Sequence, residues 1–168
     1  MKTVEVNEEY QTGYSYTLTE EPGKNFSLDF KPQLTPKDML HLGIFSGNYF
    51  NKIPNEFPAD WFKDVVFAID NIPNKELNFY KVNASQPLGV WQAKGWINPE
   101  DPKGWFLWYC RYYMGRRIPE EDARQIKRWN NMKRHVVQVQ KNCTVNDLSC
   151  RPKQRQALLH WAYDSTKL

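Results

Sequence analysis

The sequence predicts a mainly α fold: a single compact domain with a helical C-terminal half and a more irregular N-terminal half that can include a β-hairpin. Three observations predict it. The chain has 168 residues, enough to bury one core. Hydrophobic residues make up 40% and aromatic ones 15%, with seven tryptophans, which excludes a disordered chain. Beyond residue 101 the chain reads as a succession of helix starts and stops, each marked by Pro or Gly.

Residues 1–30 form an extended arm or a hairpin, set apart from a helical domain over 31–168. Tyr14, Tyr16 and Leu18 alternate with Thr and Ser, and Pro22-Gly23 is a turn signal. Thr35 then caps a short helix. Pro36 suits its first position, and Asp38 can bond back to the cap. The helix runs through Met39, Leu40 and Leu42 and stops near Gly43 or Gly47. The stretch from Gly43 to Phe50 reads as a turn packed by Phe45 and Phe50. A second apolar segment runs from Trp61 to Ile69, followed by an Asn-rich, turn-prone stretch over 70–85.

Ser85 caps a helix from about Gln86-Pro87 to Gly95. Asp101-Pro102 opens the next, which ends at Met114 before Gly115. Pro119, with Glu120, Glu121 and Asp122 suiting the positive helix start, opens a long helix to about Lys141. A last helix runs from Pro152 to about Tyr163. No run reaches about 18 apolar residues, so no membrane helix is expected. Residues 1–20 hold four glutamates and no apolar run, so no signal peptide is expected either.

The net charge of +4 hides an asymmetry. Residues 1–102 carry a net −5 and no arginine; residues 103–155 carry a net +9 and all eight arginines. Such a split predicts one basic face and an anionic partner. Arginine also reads phosphate or carboxylate with a flat, forked donor set.

The cysteines are Cys110, Cys143 and Cys150. An odd count without an export signal predicts reduced thiols and a cytoplasmic protein. Cys110 reads as a small core residue. Cys143 and Cys150 with His135 and His160 form a weak zinc alternative, since their spacing fits no compact knuckle. Neither metal nor cofactor is expected.

Three constellations carry possible chemistry. Along the helix before Gly115, Trp105, Trp108, Tyr109 and Tyr112 share one side and Phe106, Cys110 and Tyr113 the next. Aromatics all round predict a buried helix. Arg111 inside it needs a core carboxylate or a pocket to line; Arg116 and Arg117 suit the helix end. On the long helix, Ala123, Ile126, Trp129, Val136 and Val137 mark the apolar side. Arg124, Lys127, Arg128, Asn131, Arg134 and Gln138 recur on another, with no acid among them. A merely solvated face would mix in glutamates, so this stripe predicts phosphate contacts. In the last helix, Leu158, Trp161 and Ala162 face the core, and Gln156, His160 and Asp164 align at four-residue steps. His160 and Asp164 can form an acid–base pair or a structural hydrogen bond. Gln154, Arg155 and Gln156 can read base edges or phosphates. There is no Gly-rich phosphate loop, G-x-S-x-G, H-E-x-x-H or deaminase signature.

The runs from Asp101 through Gly104-Trp105-Phe106, Trp108 to Tyr113 and Gly115-Arg116-Arg117, and from Arg151 through Gln154-Arg155-Gln156 to His160-Trp161-Ala162-Tyr163-Asp164, resemble a family of uncharacterised microbial and viral proteins. The resemblance spans about residues 25–165. It implies that these motifs share one domain and makes a microbial or phage source unsurprising; it implies no activity.

The leading expectation is a nucleic-acid-binding protein, DNA ahead of RNA. Arg111, Arg116, Arg117, Arg124, Lys127, Arg128, Arg134, Arg151, Arg155 and Gln154 are its contact candidates, and Trp108 and Tyr112 its stacking or pocket candidates. The first alternative is a DNA-processing enzyme acting on a base, glycosylase-like, with Asp101, His160 and Asp164 as catalytic candidates beside Arg111. The second is a protein-interaction module built on an aromatic and arginine hot spot.

Overall fold

A computed structural model describes residues 1–84 and 98–168. The chain opens with a hairpin of β1 (Lys2–Glu8) and β2 (Gln11–Leu18), paired antiparallel with Val4 opposite Tyr16 and Val6 opposite Tyr14. Alternation puts these four on one face, and Val6 and Tyr16 are buried. The hairpin turns at Glu9-Tyr10; Pro22-Gly23 is a later turn, where the Gly23 amide donates to the Tyr113 carbonyl. The hairpin is therefore docked on the rest of the chain.

Helix α1 (Pro36–His41) has the expected capping box, with Thr35 and Asp38 bonding reciprocally to each other's amides. The expected segment from Trp61 to Ile69 is only one 3-10 turn, Ala59–Phe62, followed by irregular chain. Trp61 and Phe62 are buried while Ile69 is exposed, so no apolar stripe is left to hold a longer helix. The helix expected after Ser85 lies outside the described residues.

Helix α2 (Trp105–Met114) is the centre of the fold, with every residue from Trp105 to Tyr112 buried. Phe30 sits edge-on to Trp105, Tyr109, Tyr112 and Trp129. The helix starts three residues later than Asp101-Pro102 suggests, at Gly104, without a side-chain cap. Its end is tied to the hairpin. Gly115 has φ +119°, and a Cβ there would lie 2.1 Å from the Glu20 carbonyl oxygen, while its own carbonyl accepts from Thr19.

The long helix expected from Pro119 is two: α3 (Pro119–Asn131) and α4 (Lys133–Asn142), breaking at Met132. The break lets Ile126 and Trp129 on one side of it, and Val139 on the other, reach the core; Val137, expected inside, is exposed. Helix α5 (Pro152–Leu159) ends at His160, with Leu158, Leu159 and Ala162 buried. Helix thus dominates from residue 105 onward, while the first 84 residues combine the hairpin with mostly irregular chain. No helix among the described residues is long and apolar enough to cross a membrane.

Cys143 and Cys150 form a disulfide joining the end of α4 to the start of α5, with Cα atoms 5.8 Å apart. This corrects the expectation of three reduced thiols, and the inference from them to a reducing compartment falls with it. It also removes both thiolates from the zinc alternative. Cys110 is free and fully buried, and burial pushes its thiol well above the usual range.

Candidate nucleic-acid interface

Four buried or held arginines leave the expected interface. Arg111 and Arg116 are enclosed and share the Asp101 carboxylate, Arg111 at 2.9 Å and Arg116 at 2.8 and 2.7 Å. Burial works against the Arg111 charge, but Glu56 and Asp101 outweigh it and hold the guanidinium protonated. Arg155 is also enclosed, donating to the carbonyls of Cys150, Ser165 and Leu168. Arg117 lies 3.8 Å over the Tyr112 ring and donates to four backbone carbonyls. Trp108 and Tyr112 are core residues, not exposed stacking platforms; Trp108 donates its indole N–H to Asp122. Arg111 faces inward because a helix apolar all round carries its one cation inside with it; Arg116 and Arg155, enclosed beside it or on α5, likewise need internal acceptors.

The catalytic candidates have separate employment. Asp101 is neutralised by the two arginines. His160 packs on Phe45 and meets Gln156, and burial lowers its pKa to about 4. Asp164 accepts from Thr166 rather than pairing with His160. Gln156 is buried and bonds the Ile44 carbonyl. The aromatic and arginine hot spot is likewise spent in the core; the exposed large apolar side chains include Val66, Ile69 and Ile72.

The exposed cations lie elsewhere and together. On α3, Lys127 is exposed, and Arg124 is exposed but paired with Glu121 at 2.5 Å. Arg128 is half-buried, donating to Gln125 and lying over the Trp161 ring. On α4, Lys133, Arg134 and Lys141 are exposed, and at the start of α5 so are its N-cap Arg151 and Lys153.

At the junction of α4 and α5 these elements meet in a polar cluster. Gln154 donates to the Gln138 side-chain oxygen at 2.6 Å and lies 2.8 Å from Nδ1 of His135; Arg151 donates to the Gln154 oxygen at 3.0 Å. Those neighbours fix the Gln154 amide, and on the other side of the ring the Arg134 Nε–H points at Nε2 of His135 at 3.5 Å. Burial and the adjacent Arg134 charge both lower the His135 pKa. The cluster therefore offers Arg134 and Arg151 to an anion. Arg134, Arg151 and Gln154 were expected; His135 was not, because nothing in its spacing reports the Gln154 contact.

A second feature opens beside α3. Tyr112, Arg117 and Lys127 line a cleft of about 570 Å³ between the 20–29 loop and α3, with Asp29, Asn130 and Asn131. Comparison of the chain with family models, curated proteins and solved structures finds no match.

Proposed function

We propose that this protein binds nucleic acid, with DNA ahead of RNA, through the exposed surface of α3, α4 and the start of α5. One observation carries the reading: Lys127, Lys133, Arg134, Lys141, Arg151 and Lys153 are exposed and have no carboxylate partner among the described residues. No acid occurs between Asp122 and Asp147. Helical surfaces bearing Arg, Asn and Gln suit the major groove of B-form DNA, which admits a helix, whereas that of A-form RNA does not. The enzyme reading lacks this support, since Asp101, its buried carboxylate, is already neutralised.

The test is fluorescence anisotropy with labelled duplex and single-stranded DNA across a salt series. Binding is expected to weaken steeply with salt and to fall at least tenfold in Arg134→Glu/Lys141→Glu. Absence of binding at low salt, or binding indifferent to salt, overturns the reading.

A further inference from the structure

The cleft beside α3 has its own chemistry. Its volume of about 570 Å³ lies in the range of clefts that take small molecules. Its floor is the buried Tyr112 ring with the Arg117 guanidinium over it. The carbonyls of Tyr112, Arg116, Lys24 and Asn25 occupy all four terminal N–H groups of Arg117. Arg117 is therefore a flat plate, not a phosphate clamp.

The walls point the same way. Glu20, Asp29 and Asp122 outnumber the cations Arg117 and Lys127. A lining with net negative charge repels a free phosphate and favours a ligand rich in N–H donors. Asn130 spends its amide N–H on the carbonyls of Asp29 and Ile126, leaving its side-chain oxygen as an acceptor. Lys127 both lines the cleft and belongs to the basic surface, so a strand on that surface passes the opening.

We propose that the cleft takes one unstacked base with an exocyclic amine (adenine, cytosine or guanine, not thymine) from a strand whose phosphates lie on the basic surface. The base stacks on the Arg117 plate. Its exocyclic amine donates to Asp29 or the Asn130 oxygen, and Asn131 reads the adjoining ring edge. This rests on the nucleic-acid reading above.

The test compares oligo-dC with oligo-dT, two pyrimidine strands of equal charge, with oligo-dA as a third probe. Wild type is expected to bind oligo-dC and oligo-dA about tenfold more tightly than oligo-dT at one salt concentration. Asp29→Asn/Asn131→Ala, at two exposed positions, is expected to bring all three within about twofold while keeping the salt slope. Arg134→Glu/Lys141→Glu is expected to weaken all three and keep their ratio. Equal affinities in wild type, or a preference that survives the cleft variant, overturn the cleft proposal and leave the DNA reading standing. The cleft is read alone by titrating free cytidine and thymidine while following the backbone amide resonances of Asn130 and Asn131. Shifts with cytidine and none with thymidine support it even if neither these strands nor duplex DNA bind, a result that would overturn the DNA reading instead.

Discussion

Arg111 grips Glu56, 55 residues away, with two parallel hydrogen bonds: Nε to Oε2 at 2.7 Å and Nη2 to Oε1 at 3.0 Å. Its remaining N–H groups go to the Glu100 carbonyl, Asp101 and Gln11, so all five donors are used. Glu56 also accepts from Tyr10 and Tyr16. Together with Arg116 and Asp101, the cluster carries no net charge and ties the hairpin to α2. Removing one ion from such a set strands the others in a dry site. Arg111→Ala is expected to lower stability by about 3–5 kcal/mol in urea unfolding. A loss under about 1 kcal/mol would mean that water reaches the cluster.

The Cys143–Cys150 disulfide closes a short exposed loop. By chain entropy, a loop of this size is worth about 2–3 kcal/mol, and less where the unfolded chain retains structure. Cys143→Ser/Cys150→Ser is expected to lower the melting temperature and to make it insensitive to dithiothreitol. Wild type is expected to shift to about the variant's value when reduced. Identical melting with and without reductant in wild type would show that the bond does not form.

What was legible in the sequence was local. Thr35, Pro36 and Asp38 announce a helix start because capping needs only neighbours three residues apart. The aromatic run from Trp105 to Tyr113 announces burial because no side of the helix is polar. Arg111 could be recognised as needing a carboxylate, but Glu56 could not be named, since nothing short-range selects a partner 55 residues away. Asp101 looked like a cap; two enclosed guanidiniums require its charge more than one helix start does. The basic surface survived in outline for the same reason that Arg111, Arg116 and Arg155 left it. Composition counts cations, and only the acceptors the fold sets beside them, such as Glu56, Asp101 and the Ser165 carbonyl, decide which are drawn inside.

His160 gives stability a pH dependence of definite sign. Burial lowers its pKa to about 4, against the partial opposition of a hydrogen bond to the Ile44 backbone. Between about 6.5 and 4 the unfolded chain holds a proton that the native chain does not. Stability therefore falls as pH drops through that window and levels off below it. The contribution is at most about 3 kcal/mol. His160→Gln, which keeps a polar group near Gln156, is expected to flatten this part of the profile. Urea midpoints at pH 7, 5.5 and 4 would check it; parallel curves for variant and wild type would remove His160 as the source. His135 also has a lowered pKa, but it is present in both proteins and cancels in the comparison.

The basic surface makes a finer prediction about its own members. Each phosphate neutralised releases counterions, so the slope of log K against log salt reads the number of contacts, at about 0.9 per contact on duplex DNA. Lys141 and Arg134 have no acidic partner among the described residues, whereas Arg124 is held by Glu121 through Nε and Nη2. A cation already neutralised within the protein displaces fewer counterions from DNA, because Glu121 must be released or must lie against the phosphates. Lys141→Ala and Arg134→Ala are each expected to make the slope shallower by about 0.9, and Arg124→Ala by clearly less. Arg124→Ala equal to the other two would mean that Glu121 yields its arginine on binding. If Lys141→Ala and Arg134→Ala leave the slope unchanged, the contacts lie off α4, and Arg151 and Lys153 become the residues to change next.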